Sequence, residues 1–167
     1  WAAEFRQQEN VKVIEGTFED LAEHDCFVTA ANSFGMMTAG IDAAVVAFHG
    51  QELMDRLQHR ILSEFLGEQP VGTAIIEATG TPGYPYVAHV PTMRIPKAID
   101  GTDAVYVATW AALVAIYRHN LTSDPPIRTV AMPAMGAGFG NVPYVEVARQ
   151  MATAYDNFMH PPSHLDW

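Results

Sequence analysis

Three glycines at alternate positions, Gly136, Gly138 and Gly140, are the first candidates for chemistry in this chain. An apolar run leads into them and an amphipathic run leads out, so the pattern predicts a strand, a glycine loop and a helix. Glycines let a ligand approach the backbone closely, and the first amides of the following helix attract an anion. The loop is therefore a candidate phosphate cradle, although a tight strand-to-helix turn would use the same glycines.

A second loop, residues 32–40, also follows an apolar run and precedes a helical pattern. In an open α/β sheet, ligands bind beyond the carboxyl ends of the strands, so two such loops on neighbouring strands would line one crevice. Asn32 opens this loop and Asp42 follows it, an amide and a carboxylate suited to hydroxyl groups and water. Each has a structural alternative, because Asn32 is able to hold a turn and Asp42 to cap its helix.

The elements that must position these loops alternate along the chain. Strands are predicted at residues 11–15, 26–30, 73–78, 86–90 and 127–132, and helices at 41–48, 51–66, 104–119 and 145–159. Prolines at both ends of residues 91–96 argue against regular helix or central strand there. The alternation predicts an α/β fold with a largely parallel sheet between helix layers.

Composition bounds the class of protein. The 167 residues suit a single domain over residues 1–167, with a core at about 11–159 and a loose tail at 160–167. Because Lys and Arg number 9 against 19 Asp and Glu, for a formal charge of −10, the chain is not expected to bind nucleic-acid backbone nonspecifically. A nucleotide ligand is still compatible, provided that backbone amides hold its phosphates.

Localisation and cofactors follow from what the pattern lacks. No apolar run reaches the roughly 18 residues of a membrane span, and the start does not resemble a signal peptide. The lone Cys26 suits a reducing compartment, so the prediction is a cytoplasmic protein without membrane contact. The histidines lack metal-ligand spacing, so no metal and no cofactor are expected, and nothing in the pattern indicates an oligomeric state.

Three motifs, in order along the chain, resemble those of the macro domain family. Residues 30–33 and 40–44, A-A-N-S and G-I-D-A-A, resemble its N-A-A-N-S and V-D-x-A-I segments. Residues 70–74 and 79–80, P-V-G-T-A and T-G, resemble P-T-G-x-A and T-x-G. Residues 133–140, P-A-M-G-A-G-F-G, resemble P-A-I-G-T-G-x-[YF]-G. The resemblance runs from about residue 11 to 159.

The resemblance implies an α/β/α sandwich around a six-stranded mixed sheet that binds ADP-ribose or an ADP-ribosylated substrate. Asn32 would bond the distal ribose, and Asp42 lies where hydrolytic members have the acid that activates or orients water; these two are the implied catalytic residues. The remaining implied ligand contacts are Gly136, Ala137, Gly138, Phe139 and Gly140, around the diphosphate and distal ribose, together with Gly16, Thr17, Ser33, Gly40 and Ile41.

The chain departs from the family pattern at informative positions and looks like a divergent bacterial branch. Thr17 replaces the aspartate that binds adenine, and residues 37–39, M-T-A, replace a run of glycines and bring side chains near the scissile bond. Three hypotheses follow. The chain hydrolyses an ADP-ribosyl or distal-ribose ester linkage, or it binds ADP-ribose without turnover, or it binds another nucleotide.

Overall fold

The computed structural model describes residues 1–165, which contain four strands and four α-helices. The strands are β1 (Cys26–Asn32), β2 (Ile75–Thr81), β3 (Tyr84–Met93) and β4 (Val130–Ala131), and the helices are α1 (Gly40–His49), α2 (Gln51–Phe65), α3 (Ala104–Asn120) and α4 (Tyr144–Met159). The strands form one sheet in the order β2-β3-β1-β4. Both β3 and β4 run parallel to β1, and β2 runs antiparallel to β3.

Alternation along β1 divides the core into two layers, because successive strand residues face opposite sides of a sheet. Cys26 and Val28 lie in a buried cluster with residues of α3 and α4. Phe27, between them, lies in a second cluster with residues of α1 and α2. One helix pair therefore covers each face, and the predicted three-layer α/β/α fold with a mixed, largely parallel sheet is confirmed.

The strand predicted at residues 11–15 is wrong. Its alternating β-branched residues have the right propensity, but residues 12–15 make no backbone hydrogen bond with any other part of residues 1–165. Strand propensity describes how well a residue fits a paired, half-buried surface, and it does not supply the neighbouring strand. The sheet of the described residues accordingly has four strands, not the six that the resemblance implied.

The prediction that residues 91–96 exclude a central strand is wrong for the first three, because β3 continues through Pro91 to Met93. β2 begins at Ile75, opposite His89, so Pro91 has β1 on one side and no residue of β2 on the other. A proline without its N–H is tolerated at such a one-sided position. The pairing with β1 is also irregular just beyond Pro91.

β4 is shorter than the predicted strand at residues 127–132. The reason is Asp25, whose carboxylate oxygen Oδ2 accepts the N–H groups of Arg128 and Thr129 at 2.8 Å each. A side chain thus satisfies the amides that a longer strand would have used in its ladder. Only Val130 and Ala131 remain paired as a strand with β1.

The C-terminal segment, residues 160–165, contains neither helix nor strand and is exposed. Asp166 and Trp167, which the prediction included in that tail, lie outside the described residues. None of the helices within residues 1–165 combines the length and apolar character needed to cross a membrane.

Candidate functional site

The two loops singled out in the sequence meet at one end of the sheet. They follow the neighbouring parallel strands β1 and β4 and lead into α1 and α4. Gly40 begins α1 with φ of +59°, and a Cβ added to it would lie 3.9 Å from Cε2 of Phe139 in the glycine loop. Phe139 keeps 61% of its surface exposed, so its ring lies beside Gly40 at the surface and is not part of the core.

Two of the three alternate glycines are required by the packing of the protein itself. Gly136 has φ of +76°, and a Cβ there would lie 3.1 Å from atoms of both Ile99 and Val105. A Cβ on Gly140 would lie 2.3 Å from the carbonyl oxygen of Gly136. At these positions the tight-turn interpretation of the glycine pattern is correct, because any side chain would collide with the fold.

Gly138 is different. A Cβ there would meet no atom within 4 Å, and its φ lies outside the left-handed region. The N–H groups of Gly138, Phe139 and Gly140 also donate to no acceptor in residues 1–165. Packing within the protein does not require a glycine at position 138, and the three N–H groups have no partner. Together these observations indicate a place where a ligand approaches the backbone.

Asn32, at the end of β1, is held by its own loop. Its Nδ2 donates to the carbonyl oxygen of Met36 at 2.9 Å, and its Oδ1 accepts the N–H groups of Phe34 at 3.0 Å and Met36 at 3.3 Å. A primary amide has two N–H donors, so one remains without a partner among the described residues. The turn-holding alternative is thus realised, and a donor for a ligand is retained.

Asp42 is the third residue of α1 and is 4% exposed. Ala39 occupies the N-cap position, so Asp42 is not the cap of its helix. Neither carboxyl oxygen has a hydrogen-bond partner in the described chain, and Oδ1 is buried. Burial raises the pKa of the carboxyl from 3.8 to about 7, because an ion is poorly solvated there; the helix N-terminus, worth about 0.3–1 kcal/mol in the opposite direction, is the smaller effect.

The departure at Met37 does not fill the crevice. Its side chain is 1% exposed and lies in the core cluster with Phe27 and Leu57. Its N–H donates to Sδ of Met54 on α2 at 3.4 Å. The side chain of Met37 therefore packs into the core beneath the loop. The expectation that it brings bulk near the scissile bond is wrong for this residue.

Four of the other predicted ligand contacts form two pairs: Ser33 and Ile41 lie in the first loop and at the start of α1, and Gly16 and Thr17 precede β1. Ser33 is 1% exposed, and its N–H and C=O are bonded to the backbone of Arg94 and Gln69. Ile41, in the first turn of α1, packs against the second core cluster, and its N–H has no acceptor within residues 1–165. Gly16 and Thr17 are exposed and contact Asp20, whose Oδ2 accepts the Thr17 N–H at 2.9 Å and hydroxyl at 3.0 Å.

Sequence reasoning missed the residues that support the glycine loop. Ile99 donates its N–H to the carbonyl oxygen of Gly140 at 2.8 Å and packs beneath Gly136. The available signal was one large apolar residue, Ile99, in the stretch K-A-I-D-G, residues 97–101, which is typical of a loop anchor. Within the described ranges, no group of three or more His, Cys, Asp or Glu side chains is arranged to hold a metal ion.

Comparison with known proteins agrees with this architecture. A family model described as the macro domain matches residues 28–151. An uncharacterised protein of Aquifex aeolicus is 30% identical over 149 residues, which cover 89% of this chain and 82% of that protein. The macrodomain of Mycobacterium tuberculosis DarG superposes with a TM-score of 0.67 at 20% identity, over 81% of this chain and 84% of that one.

The Oceanobacillus iheyensis macrodomain with ADP superposes with a TM-score of 0.70 at 19% identity, over 84% of this chain and 72% of that one. At these sequence identities the superpositions establish similarity of the fold and nothing further. The family match covers most of the chain and contains both loops of the crevice. This chain belongs to the macro domain family.

Proposed function

We propose that this protein binds ADP-ribose or an ADP-ribosyl group in the crevice between the two loops and hydrolyses an ADP-ribosyl or distal-ribose ester linkage. Family membership supports the ligand, since the Oceanobacillus iheyensis macrodomain was solved with ADP and a variant of it with ADPR. The observation in this chain that carries the proposal is Gly138, which the fold itself does not require.

The diphosphate would lie against the N–H groups of Gly138, Phe139 and Gly140, which have no partner in residues 1–165. The formal charge of −10 repels an anion, so the partial positive charges of these backbone N–H groups would be what attracts the diphosphate. The exposed ring of Phe139 would cover the ligand from the side that faces Gly40. The distal ribose would then lie at the start of α1, beside Asn32 and Asp42.

Asn32 would position the ribose with its remaining amide hydrogen. Its three bonds to Phe34 and Met36 fix the plane of the amide, so this donor is oriented before a ligand arrives. Preorganised donors of this kind favour a transition state because they need no rearrangement during the reaction.

Asp42 would act on water as a general base. A base is most effective when its pKa lies close to the working pH, and burial brings the pKa of this carboxyl to about 7. In its ionised form Asp42 would take a proton from water, or orient it, as the water oxygen bonds to the carbon of the scissile linkage and the bond from that carbon to the leaving oxygen breaks. The proton taken by Asp42 would then pass to the leaving group or to solvent. Oδ1 is buried, so Oδ2, which no described residue bonds either, would be the oxygen that faces the water.

A non-catalytic ADP-ribose reader is the second candidate, and Asn32 favours it, since most of its hydrogen-bonding capacity is committed to its own loop. Binding of another nucleotide is the third. That alternative rests on Thr17, which carries no carboxylate and is bonded to Asp20.

Calorimetric titration with ADP-ribose, with AMP and ADP as controls, tests the ligand. Tight binding that AMP does not match is expected, and failure to bind ADP-ribose would refute the ADP-ribose proposal. Gly138→Val should weaken ADP-ribose binding at least about tenfold, because its side chain covers the unpaired amides. Its free energy of unfolding should stay within about 0.5 kcal/mol of the wild type, whereas Gly140→Ala should lose both stability and binding.

Turnover of an ADP-ribosylated protein then separates enzyme from reader. Asp42→Ala should retain ADP-ribose binding and lose turnover. Normal turnover by this variant would refute the role of Asp42. Absence of turnover in the wild type, together with tight ADP-ribose binding, would establish the reader.

A further inference from the structure

Arg94, the basic residue just after β3, is paired with Glu68 through two nitrogens on one side of its guanidinium group. Its Nε lies 2.7 Å from Glu68 Oε1 and its NH2 nitrogen lies 2.9 Å from Glu68 Oε2. Two parallel bonds of this kind fix the plane of the guanidinium as well as its position. The pair is partly exposed, so its value lies in geometry more than in stability.

The same guanidinium lies over the ring of Phe34, with Cζ 5.1 Å from the ring centroid. This is a cation–π contact, within the usual limit of about 6 Å. Phe34 is the second residue after β1, inside the loop that contains Asn32 and Met36. The backbone joins the same elements, because the carbonyl oxygen of Arg94 accepts the N–H of Ser33 at 3.1 Å.

Phe34 in turn touches the candidate site, because its N–H donates to Oδ1 of Asn32 at 3.0 Å. Glu68 is continuous with the same support: Gln69, the next residue, donates its N–H to the carbonyl oxygen of Ser33 at 2.8 Å. The side chain of Gln69 is fully buried and bonds the ring nitrogen Nδ1 of His89 on β3 at 2.7 Å. The loop after β1 is therefore joined to β3 through Gln69 and contacted by Arg94 at Phe34.

We propose that Arg94 and Glu68 are positioning residues that act together as a clamp. Glu68 fixes the guanidinium of Arg94, which packs over the ring of Phe34 and so fixes the amide of Asn32 for the distal ribose. The proposal rests on the proposed function for the identity of the ligand. It assigns Arg94 no contact with phosphate, because Glu68 bonds two nitrogens of its guanidinium group and offsets its positive charge.

Glu68→Gln distinguishes the clamp from a direct phosphate contact, because the two predict opposite signs. A clamp weakened at Glu68 should bind ADP-ribose about three- to fivefold more weakly, while ADP, which lacks the distal ribose, should be little affected. If Arg94 instead binds a phosphate, releasing it from Glu68 should tighten both ligands. Tighter binding of ADP-ribose and ADP by Glu68→Gln would overturn the proposal.

Arg94→Lys gives a second, independent reading. Lysine keeps the charge but has no planar fork, so it should weaken ADP-ribose binding nearly as much as Arg94→Ala does. Full rescue by lysine would overturn the clamp. The matched control is Arg149→Ala, which breaks a similarly exposed, two-pronged pair with Glu146 on α4, with bonds of 2.8 and 2.6 Å, and should leave both affinities unchanged.

Hydrogen exchange at the N–H groups of Phe34 and Met36 tests the clamp without any ligand. Both groups bond to Asn32 Oδ1, so Arg94→Ala should accelerate their exchange relative to wild type and to Arg149→Ala. Unchanged exchange would overturn the clamp. If the wild type fails to bind ADP-ribose, the proposed function falls, and this exchange measurement still decides whether the clamp holds the loop.

Discussion

Replacement of the buried Asp42 by asparagine should stabilise the protein at neutral and alkaline pH. The side chain is 4% exposed and neither oxygen has a hydrogen-bond partner within residues 1–165. Burial raises the pKa of its carboxyl from 3.8 to about 7. Ionisation therefore costs the folded protein more than the unfolded chain, and Asp42→Asn, which has nearly the same shape, does not ionise.

The magnitude follows from that shift in pKa. A difference of about three pKa units corresponds to about 4 kcal/mol at about 1.36 kcal/mol for each unit. Because the pKa of Asp42 is raised on folding, the contribution of its protonated form to stability is fully present below pH 3.8 and is lost as the pH rises through about 7. The stability advantage of Asp42→Asn over the wild type should grow across that interval and then level off.

Urea unfolding at pH values from 4 to 8, followed by tryptophan fluorescence, to which the half-buried Trp110 contributes, measures this advantage. Subtracting the wild-type free energy of unfolding at each pH removes the contribution of the other titrating groups. Asp100→Asn is the control, because Asp100 is exposed and has no hydrogen bond or ion pair in the described chain. Its difference from the wild type should stay within about 0.5 kcal/mol at every pH.

A difference between Asp42→Asn and the wild type that stays constant within about 1 kcal/mol from pH 4 to pH 8 would refute the reasoning. The carboxyl would then be solvated or paired in solution. The argument that its pKa suits a general base near neutral pH would fail with it.

The remaining predictions concern other parts of the chain. The destabilisation caused by His89→Gln should shrink by about 3 kcal/mol as the pH falls from 6.5 to 4. Burial lowers the pKa of His89 from 6.5 to about 4, so the stability contributed by its neutral form is lost over that interval. A difference in the free energy of urea unfolding that does not depend on pH would contradict this. Leu66→Gly should raise the free energy of unfolding by about 1 kcal/mol, because Leu66 ends α2 in the left-handed region with φ of +56° and is 96% exposed. A loss of stability in Leu66→Gly would show that its side chain packs against a surface in solution. For the site, Gly138→Val should lose ADP-ribose binding at unchanged stability, and Asp42→Ala should lose turnover at retained binding, by the assays described above.

The sequence by itself determined the helices and the place of the two loops. Apolar residues repeat with the period of a helix in α2 and α4, and the helix bounds are predicted to within one residue. This holds because helical hydrogen bonds are local and the buried stripe is written in nearby residues. The family motifs made the glycine loop and Asp42 candidates for the same reason, since each motif is a short run of residues.

The tertiary structure alone decided which residues find partners. A strand exists only beside another, so residues 11–15 form none, and Pro91 lies within β3 because β2 stops short of it. Alternate glycines look alike in sequence, yet neighbours in space make Gly136 and Gly140 necessary for packing and leave Gly138 open. The pKa of Asp42 is likewise a property of burial, which depends on contacts between residues distant in the chain.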